Sequence, residues 1–133
     1  MKKILVTGAN GFVGNKLTKL LKERNYEVIS SDIKGEVDYQ GSLLDSNFVK
    51  NLPDVDAIIN CAAVQYISNN IPWIGRNRYF FQNNREALKN LRNRYDDSIN
   101  FFIQYGSSMM YKKNKEGFYN EGCEFGNNGI YTK

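Results

Sequence analysis

A chain of 133 residues is the ordinary size of one domain, and 41% hydrophobic residues, 24% charged residues and only two prolines exclude a disordered or low-complexity polypeptide. A net charge of +4 and a pI near 9.0 permit acidic partners without demanding them. No apolar run reaches the length of a secretion signal or a membrane span, histidine is absent, and Cys61 and Cys123 lack metal-ligand spacing, so a reduced, cytoplasmic protein without a zinc site, a membrane or a nucleic-acid partner is expected.

Ile4, Leu5 and Val6 form a short apolar run that stops at Thr7-Gly8, and Gly8, Gly11 and Gly14 follow at three-residue steps. That spacing fits a strand feeding a helix through a tight turn. The first glycine permits the turn, the second lets backbone N–H groups approach a pyrophosphate, and the third lets the helix lie close to its strand. Dinucleotide phosphates would sit on the helix N-terminus, where unpaired N–H groups and the helix dipole favour anions. Val13, Leu17, Leu20 and Leu21 supply an apolar stripe for that helix, and residues 26–29 a second strand. Asp32 closes this strand in position to accept from an adenosine ribose hydroxyl.

Residues 33–45 read as a loop holding a short strand at 37–40, and residues 46–52 as a brief helix stopped by Pro53 with Phe48, Val49 and Leu52 inward. Residues 57–61 are apolar on both faces, the habit of a parallel strand. Ala62 and Ala63 at its end leave room for a ligand, although close packing explains them equally well. After an irregular stretch containing Pro72 and Gly75, the spacing predicts a helix over 79–95 with Phe80, Ala87, Leu88, Leu91 and Tyr95 on one face and Arg78, Arg85 and Arg92 on the other, solvated one. Asn84 falls on the apolar face, where its amide must bond to neighbouring backbone or to the cofactor site. Residues 98–105 are a further strand and 112–129 a polar loop.

TGANGFVG, Asp32, VDAIINCAA, NNREALKNL, FFIQYGSSMMY, Glu121 and Tyr131 occur in the order seen in the extended short-chain dehydrogenase/reductase family, the nucleotide-sugar epimerases and dehydratases, and the chain resembles the N-terminal part of that family. The resemblance implies a Rossmann-type, doubly wound parallel α/β sheet of order 3-2-1-4-5 over residues 1–133, incomplete on its C-terminal side and without the substrate-binding portion. It implies that Gly8, Asn10, Gly11, Phe12, Val13, Gly14, Asp32, Ile33, Ser42, Leu43, Cys61, Ala62, Ala63 and Asn84 bind NAD, with NADP disfavoured by Asp32. Ser42 stands where the family carries an acidic residue, and Lys112 where it carries glycine. Ser108, with Ser107 as the alternative alignment, matches the catalytic Ser/Thr, and Tyr131 the catalytic tyrosine whose lysine would be residue 135.

The chemistry implied is hydride transfer between nicotinamide and a sugar hydroxyl or keto group, with Tyr131 moving the hydroxyl proton and Ser108 hydrogen-bonding the reacting oxygen. Lowering a tyrosine pKa from about 10 to neutrality takes roughly 4 kcal/mol, which the family draws from the lysine and the cationic nicotinamide. A chain without that lysine is expected to be a piece of a longer, homodimeric enzyme acting on a nucleotide sugar. The alternative is a non-catalytic dinucleotide-binding or regulatory protein of the same fold.

Overall fold

The computed structural model describes residues 2–65, 71–96, 98–112, 117 and 121–126. Strands β1 (Lys3–Thr7), β2 (Glu27–Asp32), β3 (Tyr39–Gln40), β4 (Ala57–Asn60) and β5 (Phe101–Gln104) form one sheet in the order β3-β2-β1-β4-β5. All four pairings are parallel, with Leu5 opposite both Ile29 and Ile58, and Ile59 opposite Ile103. This is the expected order; β3, β4 and β5 are shorter than the stretches expected for them, whereas β1 and β2 run past theirs.

The two faces of the sheet follow from the alternation of side chains along each strand. Leu5 and Ile58 point to the face covered by helices α2 (Ser46–Lys50) and α4 (Ala87–Tyr95), joining Leu43, Val49, Leu52, Leu91 and Tyr95. Ile4, Val6 and Ile59 point the other way, towards Val28 and helix α1 (Phe12–Glu23). Each fully buried Leu or Ile contributes about 2 kcal/mol by leaving water, so β1 and β4 anchor both layers.

Helix α1 is rotated relative to the expected stripe. Gly14 is buried and Leu17 and Leu21 pack on the second cluster, while Val13 and Leu20 remain 47% and 45% exposed. Because Gly14 must touch the turn before it, the face presented to the sheet is Gly14, Leu17, Thr18 and Leu21, an i, i+3, i+4, i+7 set centred one residue away from the apolar one. The helix stops at Asn25, which takes the left-handed conformation with φ 61°. For α2, the Asp45 carboxylate accepts from the N–H groups of Asn47 and Phe48.

The helix expected over 79–95 begins earlier and is not uniform. Helix α3 (Arg76–Phe80) runs through a π-helical stretch, Phe81–Glu86, into α4. The Asn83 amide donates to the Tyr79 carbonyl at 2.8 Å, the acceptor that the Asn83 backbone N–H would take in a regular α-helix, which accounts for the widened turn. Phe80, Ala87, Leu91 and Tyr95 are buried as expected, and Arg78, Arg85 and Arg92 are exposed. No helix among the described residues is long and apolar enough to cross a membrane.

Candidate functional site

Gly8 ends β1 with φ 65°, and a Cβ there would lie 2.6 Å from the Ala62 nitrogen, because the turn passes directly against the chain leaving β4. A Cβ on Gly14 would lie 2.1 Å from the Gly8 carbonyl oxygen, so the first turn of α1 rests on the glycine turn itself. Gly11 is the N-cap and brings no side-chain acceptor, leaving the leading N–H groups of α1 uncapped by any side chain. The positive end of the helix is thereby presented to whatever lies in front of it.

In front of it is a cavity of about 260 Å³ at the C-terminal ends of the strands. Thr7, Gly8, Asn10 and Gly11 line it from the turn, Ser31, Asp32, Ile33 and Lys34 from the end of β2, and Gly41, Ser42 and Leu43 from the segment after β3. Cys61, Ala62, Ala63 and Val64 close it beyond β4, with Asn83 and Ala87 from the long helix.

Asp32 is held in place by the backbone: its Oδ2 accepts the Asn10 N–H at 2.9 Å and its Oδ1 the Ile33 N–H at 2.7 Å. Each carboxylate oxygen has further lone pairs beyond these bonds. The Asn10 amide in turn donates to the Lys34 carbonyl at 2.5 Å, tying the glycine turn to the loop after β2. Across the sheet, the buried Thr7 hydroxyl donates to the Asn60 Oδ1, which also accepts the Ala62 N–H at 3.3 Å, and the Asn60 amide donates to Gln104 at 2.5 Å. The strand ends beneath the cavity are thus cross-linked by side chains. Burial pushes the Cys61 thiol up, so it lines the wall as a neutral group.

Of the residues the resemblance assigns to NAD, Gly8, Asn10, Gly11, Asp32, Ile33, Ser42, Leu43, Cys61, Ala62 and Ala63 line this one cavity. Phe12, Val13, Gly14 and Asn84 do not line it. The Phe12 ring is 80% exposed with the Lys16 ammonium 4.4 Å from its centroid, Val13 lies on the flank of α1, and Gly14 is buried against the turn. Asn84 reaches the cavity through backbone, its Oδ1 accepting the Val64 N–H at 2.7 Å and its Nδ2 donating to the Val64 carbonyl at 3.0 Å. Thr7, Ser31, Lys34, Gly41, Val64, Asn83 and Ala87 were not expected. All but Ala87 adjoin an expected residue in the chain, and Asn83 lies within the π-helical stretch.

Ser108 opens a short 3₁₀ turn, Ser108–Met110, following β5. It is exposed, and because every strand is parallel it leaves the sheet at the same end as the cavity. Tyr131 lies outside the described residues. The segment expected as a loop from Lys112 contains paired structure: Tyr111 bridges Phe125 antiparallel with stacked rings 5.3 Å apart, the Lys112 N–H donates to the Glu124 carbonyl at 2.7 Å, and the two side chains pair at 2.9 Å. A single bridge between residues far apart in sequence leaves no periodicity to detect.

Residues 4–132 match the model of the NAD dependent epimerase/dehydratase family. GDP-6-deoxy-D-talose 4-dehydrogenase of Aggregatibacter actinomycetemcomitans is 38% identical over 72 residues, covering 53% of this chain and 24% of that enzyme. A Haloferax volcanii protein named "Probable low-salt glycan biosynthesis reductase Agl14" is 30% identical over 129 residues, covering 90% of this chain and 41% of that protein. A solved short-chain dehydrogenase/reductase superfamily protein from Agrobacterium tumefaciens, crystallised with bound NAD, shares the fold with a TM-score of 0.80 at 22% identity, over 98% of this chain and 40% of its own. The chain therefore spans well under half the length of these relatives. With the glycine turn, the parallel sheet and the match along nearly its whole length, the chain belongs to the NAD dependent epimerase/dehydratase family.

Proposed function

We propose that this chain carries the NAD-binding site of a nucleotide-sugar oxidoreductase of the epimerase/dehydratase type. The observation that carries the reading is the juxtaposition of the uncapped α1 N-terminus at Gly11 with the Asp32 carboxylate on one cavity wall. An anion-binding end and a diol acceptor at the ends of adjacent parallel strands suit the pyrophosphate and adenosine ribose of one dinucleotide. The absence of side-chain bulk at Gly8 and Gly11 gives the phosphates their approach, and Phe12 and Val13 contribute through backbone N–H groups rather than side chains. NAD would supply hydride acceptance and donation at its nicotinamide.

The protein's own groups then bind and orient. Asp32 holds the ribose, Ile33, Ser42 and Leu43 bound the base, and Ala62 and Ala63 leave space beside the sheet end for the nicotinamide half. Ser108 hydrogen-bonds the reacting sugar oxygen and Tyr131 moves its proton. A nucleotide-sugar substrate is supported by the dehydrogenase and reductase relatives named above; a homodimeric, cytoplasmic enzyme is the form this reading gives to the full-length protein.

Calorimetric titration with NAD tests the site. Gly11→Val puts a branched side chain at the phosphate approach, where even a Cβ stands 3.1 Å from the Gly8 carbonyl oxygen. The variant is expected to lose at least about tenfold in affinity, worth about 1.4 kcal/mol, while keeping its circular dichroism. Unchanged affinity in the folded variant overturns the assignment.

A further inference from the structure

Resting on the NAD-site reading above, Asp32 recognises the ribose only while its carboxylate is aimed at the cavity, and the loop that follows it governs that aim. Residues 33–36 are all exposed and run between two fixed points. At one end the Asp32 carbonyl accepts the Gly41 N–H at 2.9 Å, and at the other the Asp38 carboxylate accepts the Ser30 N–H at 2.8 Å. A loop that buries no side chain samples many conformations unless a bond ties it down.

The tie is Asn10. Its side-chain amide donates to the Lys34 carbonyl at 2.5 Å, reaching from the glycine turn to the middle of the loop. Gly35 makes room for it: its φ of 85° lies in the left-handed region, and a Cβ there would collide with the Asn10 Nδ2 and lie 3.1 Å from its Cγ. Pinning the Lys34 carbonyl also restrains Ile33 before it, whose N–H donates to the Asp32 Oδ1 at 2.7 Å. The other donor to Asp32, the Asn10 N–H at 2.9 Å from Oδ2, belongs to the backbone and survives any change of the Asn10 side chain. Loss of the tie therefore frees one carboxylate oxygen and lets the group turn about the bond it keeps.

We infer that Asn10 and Gly35 form a latch that holds the loop after β2 against the glycine turn and thereby aims Asp32, making Asn10 a positioning residue for recognition of the sugar. An aimed carboxylate gains more from a hydroxyl than one that must first be ordered. The test is calorimetry of the 133-residue chain with ADP, which carries the base, ribose and pyrophosphate of the dinucleotide, and with 2′-deoxy-ADP. The unmodified chain is expected to prefer ADP by about tenfold, because the deoxy sugar leaves the carboxylate without its hydroxyl. Asn10→Ala removes the latch and Gly35→Ala displaces the Asn10 amide; each should lower the preference to about threefold or less, through weaker binding of ADP. Asp32→Ala should abolish the preference, and adding Asn10→Ala to it should change the ratio no further, as expected of a residue that acts through another. If both latch variants keep the full preference, or weaken both nucleotides alike, the role of Asn10 is merely structural and the inference is wrong. It also falls if the unmodified chain binds the two nucleotides equally, although the cavity then stands as a nucleotide site. If ADP does not bind at all, the reading of the cavity fails, and the inference with it.

Discussion

Asp32 shows how much a single side chain decides. Its carboxylate is anchored by the Asn10 and Ile33 N–H groups at the rim of the cavity, so a 2′-phosphate on the ribose would meet a fixed negative charge. The unmodified chain is expected to bind NAD more tightly than NADP, and Asp32→Ala to narrow the difference; tighter binding of NADP by the unmodified chain would contradict this. On the proposed reading, Tyr131→Phe in a full-length protein is expected to abolish nearly all turnover while leaving NAD affinity intact, because it would remove the proton-transfer group. Tyr95 plays a structural part. It is 1% exposed, its hydroxyl donates to the Pro53 carbonyl at 2.7 Å, and burial pushes its pKa up to about 12. A folded-state pKa above the unfolded value of about 10 gives a contribution present below pH 10 and lost as pH rises towards 12. Tyr95→Phe should therefore cost about 1 kcal/mol at neutral pH, with the gap from the unmodified chain shrinking in melts above pH 10. Asp38 has the opposite sign. The Ser30 hydroxyl and N–H lower its pKa below 3.8, so its contribution is present above that value and fades as acid protonates it.

Two helices show where spacing and packing part company. The rotation of α1 sets Leu17 against the sheet and Val13 beside it, although both belong to one apolar stripe in the sequence. Thermal or urea unfolding should resolve them: Leu17→Ala is expected to cost about 2 kcal/mol, Val13→Lys less than about 0.5. Equal losses would mean that α1 is seated on its apolar stripe after all. In the long helix, the π-helical stretch aims consecutive asparagines at different tasks, Asn83 at the cavity wall and Asn84 at the Val64 backbone. Both functions hang on one widened turn.

For the molecule entire, the sheet has two edge strands among the described residues, the two-residue β3 and the four-residue β5. Phe101 and Ile103 on one face of β5, and Tyr105 just past its end, are 59%, 50% and 53% exposed, with neither proline nor charge within the strand to blunt pairing. The 133-residue chain is expected to self-associate through this edge as its concentration rises, and Ile103→Lys to suppress that association. Light scattering across a concentration series measures both; a monomeric unmodified chain at every concentration would remove the edge from consideration.

The glycine spacing, the alternating faces of β1 and β4 and the carboxylate at the end of β2 were legible from residue order, because each depends on chemistry within a few positions along the chain. So was the parallel sheet, since runs apolar on both faces have few other places to go. Pairing of distant residues was not legible. The seat of α1 was decided by contact between Gly14 and the Gly8 carbonyl, the cavity wall by the approach of Ala62 to Gly8, and the paired segment after β5 by Tyr111 meeting Phe125. Periodicity records which side chains avoid water, but close contact between segments decides how far each element turns, and only folding brings those segments together.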